Sequence, residues 1–216
     1  MNMVTKFPKI VLLITVTPLL FAASCHKNST TPCSGYTPYS FKVTSEWNTQ
    51  QEVYHIGDTF ILTSTFSKNL INYSTPNTQQ INYANSVGIG GAGKFYELDS
   101  VQHQVIGATN KFDFISQIGT VGNNVVTLSD SKSFLLQEQS STYDLKIKIV
   151  PKAKGIFAFY VPDFTSAGLI GKDCTNAAFI MTVTNSDKHI ALFQFAMQRP
   201  PASQYEFDRI YCFRIQ

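Results

Sequence analysis

The stretch "YDLKIKIV", residues 143 to 150, constrains this chain more than any other. Tyr143, Leu145, Ile147 and Ile149 alternate with Asp144, Lys146 and Lys148. A period of two gathers the apolar set on one face of a strand and the charged set on the other. The same period returns in "YSFKVTSEW", where Phe41, Val43 and Trp47 oppose Lys42, Thr44 and Glu46. In "DTFILTSTF", Phe60, Leu62 and Phe66 alternate with Thr59, Ile61, Thr63 and Thr65. "RIYCFRI" places Tyr211, Phe213 and Ile215 together and turns Cys212 away from them, beside Ile210 and Arg214. "IFAFYV" is apolar on both faces and predicts a central strand, and "AAFIMTVTN" predicts another.

Turn signals separate these runs. Gly57-Asp58, Ser129-Asp130, "PKAKG" and "NSDK" each break the pattern between apolar segments. Two segments, 111–119 and 189–198, carry apolar residues at mixed three- and four-residue spacings and predict short helices; Pro200-Pro201 stops the second. Seven or eight strands with turns between them predict an all-β, antiparallel β-sandwich with one or two short helical segments. "YHIGDT", leading into a β-branched run, resembles the entry to the second strand of many immunoglobulin-like domains. That resemblance implies an immunoglobulin-like sandwich over 39–216, as one domain; a split near residue 120 is the alternative.

The N-terminal segment reads differently. "MNMVTKFPK" carries Lys6 and Lys9 and no acid, and the 12-residue run Ile10 to Phe21 is apolar apart from Thr15, Thr17 and Pro18. A membrane-spanning helix needs about 20 apolar residues, so this run fits an export signal over 1–24. Ala22-Ala23-Ser24-Cys25 then resembles the lipobox of bacterial lipoproteins of the Bacteroidota type. The family's first position, usually Leu, is Ala22 here, and its third, usually Ala or Gly, is Ser24. The resemblance implies a lipid on the Cys25 thiol, cleavage before it and acylation of the new amine. Several acyl chains hold a protein firmly where one would not. Residues 25–38 are polar, punctuated by proline and free of acid, as a flexible tether is. In some lipoproteins of that type an acidic run after the cysteine accompanies surface display, so its absence points to the periplasmic side of the outer membrane.

Charge excludes one class of partner. With Lys6 and Lys9 set aside, 15 basic side chains meet 14 acidic ones, too even a balance to attract nucleic acid. Cys33, Cys174 and Cys212 remain after Cys25, which in an oxidising compartment predicts one disulfide and one spare thiol. Three pairings exist; Cys174–Cys212 is preferred for lying within the folded C-terminal third, while Cys33–Cys174 would pin the tether to the domain.

Motifs for chemistry are sparse. "GIGGAGKF" matches G-x-G-x-x-G and the first seven places of a P-loop, yet Phe95 stands where Ser or Thr would hold magnesium. It reads as a glycine loop between strands, with no nucleotide, in which Gly90 and Gly91 could rim a binding cleft. His26, His55, His103 and His189 have no partner at metal-ligand spacing, so no metal and no cofactor is expected. Glu97/Asp99 and Glu206/Asp208 are spaced to share a strand face, as solvated edges also are. Of the aromatics Trp47, Tyr36, Tyr39, Tyr73 and Tyr83, Trp47 falls on the core parity of its strand. Tyr73 and Tyr83 sit in polar loops, where an exposed ring could bind a glycan or peptide.

Three functions follow as expectations. The first is a non-enzymatic, lipid-anchored envelope protein for binding or assembly, its partners being the membrane through its lipid and an envelope protein or glycan. The second is a glycan- or small-ligand-binding lipoprotein of a nutrient-uptake system. The third, an envelope hydrolase, requires titratable side chains that converge on one cavity.

Overall fold

The two-residue period is realised as strands throughout. The computed structural model describes residues 39–75, 78–122 and 130–216, which belong to one compact unit, 35–216. The signal, the tether, Cys25, Cys33, Tyr36 and Ser129 lie outside the described residues. In chain order the first strands are β1 (Tyr39–Trp47), β2 (Val53–Tyr54), β3 (Phe60–Ser67), β4 (Asn69–Asn72) and β5 (Gln79–Asn82). There follow β6 (Gly90–Asp99), β7 (Gln104–Gly107), β8 (Phe112–Ile118), β9 (Thr120–Gly122), β10 (Ser131–Leu135) and β11 (Gln137–Glu138). The last are β12 (Thr142–Pro151), β13 (Gly155–Tyr160), β14 (Phe164–Ser166), β15 (Ala177–Val183) and β16 (Ile210–Ile215). Helices α1 (Ile190–Met197) and α2 (Gln204–Arg209) lie between β15 and β16.

The strands form a single 16-stranded mixed sheet, not closed into a barrel and folded on itself as an all-β sandwich. Strand β1 is the seam. Tyr39 to Ser45 pair in parallel with β15, and Glu46 and Trp47 then pair antiparallel with β3. On the β3 side, β12 lies between β3 and β8. On the β15 side the order runs β15-β14-β6-β13-β16-β2. Pairing is antiparallel except for β1 with β15 and β16 with β2. Strands from before and after residue 120 alternate on both sides.

The alternating side chains meet between these two sides. Tyr143, Leu145, Ile147 and Ile149 are each 1% exposed or less, as are Phe157, Phe159, Tyr211 and Phe213. Trp47 sits among them, as its parity predicts: its ring lies 5.3 Å from Phe60, 5.1 Å from Phe159 and 5.2 Å from Tyr211. Asn185 closes the end of β1 like a further strand residue. Its Oδ1 accepts from the Trp47 amide at 2.8 Å, and its Nδ2 donates to the Trp47 carbonyl at 3.0 Å.

Strand β13 is apolar on both faces because both are covered. Its inner face carries Phe157 and Phe159, while Ala158 joins Leu98, Ile210 and Cys212 on the outer face beneath α1. Leu192, Phe193, Ala196 and Met197 of α1 complete that second cluster.

Two expectations fail locally. Residues 111–119 are not helical: a 3₁₀ turn at Thr109–Lys111 leads into β8, which pairs with β12. Phe112 and Phe114 reach one core from alternate positions, so tertiary pairing decided a segment of ambiguous spacing. The glycine run is not a loop either, since Gly90 onward forms β6. Its glycines are required by close packing. A Cβ on Gly91 would meet the Asp163 carbonyl oxygen at 2.5 Å, and one on Gly93 would meet Phe134 Cε2 at 2.6 Å and Phe159 Cε2 at 2.8 Å. Gly93→Ala therefore overpacks the core and should lower stability by about 1–3 kcal/mol in urea unfolding; unchanged stability would contradict this packing.

Candidate functional site

Side chains that β6 and β13 turn away from the core build a cleft. Ala92, Lys94 and Tyr96 alternate outward on β6, and Tyr160 does so at the end of β13. Beyond α1, Arg199 follows the helix, and Tyr205, Glu206 and Arg209 come from α2. Together with Asp163, before β14, these residues line a cleft of about 490 Å³. That is within the range of sites for small organic ligands.

One wall is an ion pair wrapped around a ring. Arg209 is buried, and its Nη2 donates to Asp163 Oδ1 at 2.6 Å. The guanidinium carbon lies 3.5 Å from the centre of the Tyr205 ring, a close cation–π contact. Tyr205 donates its hydroxyl to Asp163 Oδ2 at 3.1 Å, and the Met181 amide donates to Asp163 Oδ1 at 3.0 Å. Tyr205 is thus fixed at one face and its edge, yet remains 58% exposed. The Arg209 Nε is buried without a hydrogen-bond partner.

The opposite wall is aromatic. Tyr96 and Tyr160 meet edge to face, centroids 5.7 Å apart. Tyr96 donates to Asp130 Oδ2 at 3.2 Å, and Lys94 Nζ lies 3.8 Å from the same oxygen. Burial raises the Tyr160 phenol above the ordinary tyrosine range, and the charge of Glu206 adds to it. Burial likewise raises Tyr96, so both rings present neutral hydroxyls. Glu206 accepts from the Ala202 amide in front of α2. Its own amide bonds the Ser203 hydroxyl at 3.2 Å, the capping interaction that starts the helix.

The residues singled out from sequence do not converge here. Tyr83 is fully buried, its hydroxyl donating to the Thr175 carbonyl at 2.8 Å, so it presents no ring to a ligand. Tyr73 is 43% exposed, with Lys42 Nζ 4.7 Å above its ring, apart from the cleft. Gly90 and Gly91 lie within β6, so they form no loop rim; they bring β10 and β14 close to the strand that carries Lys94 and Tyr96. The pair Glu206/Asp208 is helical, and Glu97 is bound to Lys111 at 2.5 Å. Among the described residues no group of three His, Cys, Asp or Glu side chains could hold a metal ion.

The pairing Cys174–Cys212 does not form. Cys212 is a free thiol on the face of β16 turned away from Phe213, as its parity predicts; that face is covered by α1, so the thiol is fully buried, and burial raises its pKa far above the usual thiol range. Cys174 stands at a left-handed turn (φ 55°) before β15 and is not among the free thiols.

Sequence reasoning missed Arg199, Arg209, Tyr160, Tyr205 and Asp163. Helix α2 had a legible signal, Ser203-x-x-Glu206, which is a capping box placed after two prolines. The convergence of four separate segments had none. No known protein family matches this chain, and no curated protein does.

Proposed function

We propose that the protein is a lipid-anchored protein of the bacterial envelope that binds a small glycan, without enzymatic action, in the cleft between β6, β13 and α2. Attachment is through Cys25 to the outer membrane, on its periplasmic side. The observation that carries the binding reading is the Tyr205 platform: one ring face is held by Arg209, and the side chain stays largely open beside Tyr96 and Tyr160. Sugars offer flat C–H faces to aromatic rings and hydroxyls to surrounding donors and acceptors, and this cleft supplies both. The two carboxylates that line it are occupied by the fold: Asp163 accepts from Arg209, Tyr205 and Met181, and Glu206 from Ala202. Asp163 has both oxygens engaged and Glu206 has one, so the cleft lacks the two open carboxylates of glycoside hydrolysis, which favours binding.

We also infer a Cys33–Cys174 disulfide. Cys33 lies six residues before Tyr39, and Cys174 three before Ala177, the residue paired with Tyr39 in the parallel ladder. Tyr39 and Ala177 begin the same end of one parallel strand pair, and a bridge between the segments that precede them would hold the tether to the domain.

Three outcomes are expected. Cys25→Ala should move the protein from the membrane to the soluble fraction; retention in the membrane refutes the anchor. Non-reducing peptide mapping should join Cys33 to Cys174 and find Cys212 alkylated only after denaturation; a Cys174–Cys212 peptide refutes the pairing. In calorimetric titration with a panel of neutral disaccharides, Tyr205→Ala should weaken binding about tenfold, or ~1.4 kcal/mol. If no sugar binds, or the variant binds as the wild type does, the glycan reading fails and the assembly reading takes its place.

A further inference from the structure

One cation of the cleft stands outside its ion pairs. Lys94, Arg199 and Arg209 face Asp163 and Glu206. Arg209 is matched by Asp163 at 2.6 Å, and Lys94 has Asp130 at 3.8 Å. Arg199 has no such match. Its Nη1 donates to the neighbouring Pro200 carbonyl at 3.1 Å, its guanidinium lies 5.3 Å from the Phe193 ring centre, and among the described residues it forms no ion pair. The remaining guanidinium donors are open to the cleft and to solvent.

A second donor stands close by. Tyr160 lines the same cleft, and its hydroxyl has no hydrogen-bond partner among the described residues. Arg199 and Tyr160 share the lining of this one cleft, and burial, with the charge of Glu206 adding to it, keeps the phenol protonated as a donor. A guanidinium fork beside a neutral O–H is suited to a carboxylate, whose two oxygens can accept from both. Glu206 is the nearby acid; it accepts from the Ala202 amide and, among the described residues, forms no ion pair with Arg199.

We propose that the cleft takes an acidic saccharide, its ring on Tyr205 and its carboxylate between Arg199 and the Tyr160 hydroxyl. This rests on the glycan reading of the cleft and specifies the ligand class within it. Arg199 supplies the preference for the anion, and Tyr205 supplies the affinity that acidic and neutral sugars share. The two contributions are separable because Arg199 is exposed and follows the end of α1, so its replacement leaves the core intact.

The test is a calorimetric titration of the full mature chain with digalacturonic acid and with neutral galactobiose, at low and high salt. The wild type should prefer the acid at least tenfold at low salt, and the preference should shrink as salt screens the exposed guanidinium. Arg199→Gln should abolish the preference by weakening digalacturonic acid far more than galactobiose, Arg199→Lys should keep part of it, and Tyr160→Phe should reduce it. Tyr205→Ala should weaken both ligands together. Equal affinity for the two sugars, or a preference that survives Arg199→Gln, overturns the carboxylate seat while the glycan cleft stands. Binding of neither sugar overturns both. Competition by acetate as effective as by digalacturonic acid would show a bare anion site and also overturn the saccharide assignment.

Discussion

Everything in this fold passes through Trp47. Strand β1 leaves β15 after Ser45 and pairs with β3 at Glu46 and Trp47, so the Trp47 ring lies where the two sides of the sandwich converge. Phe60 comes from one side, and Phe159 and Tyr211 from the other, all within about 5 Å of the indole centre. Asn185 fixes the backbone of the same residue from both its amide and its carbonyl. A large aromatic at such a seam contributes on the order of 3–5 kcal/mol, a substantial part of the net stability of an ordinary domain. Placing the ring elsewhere would undo the crossing of β1 and with it the continuity of the sheet.

The outer cluster depends on that inner core. Because Phe157, Phe159, Tyr211 and Phe213 face Trp47 and its neighbours, the alternate positions of β13 and β16 are forced outward. Ala158, Ile210 and Cys212 are apolar there and need a cover, which α1 supplies. Other outward positions of β6 and β13 are Lys94, Tyr96 and Tyr160, which line the cleft. Parity set at the core thus reaches the candidate site through two strands.

The alternation in "YDLKIKIV", "DTFILTSTF" and "RIYCFRI" made the buried faces legible residue by residue, down to the separation of Cys212 from Phe213. Parity identifies a face and says nothing about neighbours. That is why the parallel pairing of β1 with β15 and the transfer of β1 between partners could not be read. The glycine run misled for a related reason: in isolation glycines signal a turn, whereas here Phe134, Phe159 and Phe164 occupy the space that side chains would need. The cleft was illegible because Tyr160, Arg199 and Arg209 are unremarkable surface types in sequence, and only the fold brings them to one place. Tyr83 shows the converse, a polar-loop tyrosine that the fold buries completely.

The parallel pairing of β1 with β15 has a mechanical meaning. A load entering at Tyr39 and directed along the strand meets all seven register pairs, Tyr39–Ala177 to Ser45–Val183, in shear at once. An antiparallel hairpin pulled apart at its open end would surrender them one at a time. Tension that enters at Tyr39 itself is therefore spread over the whole ladder before Trp47 is disturbed.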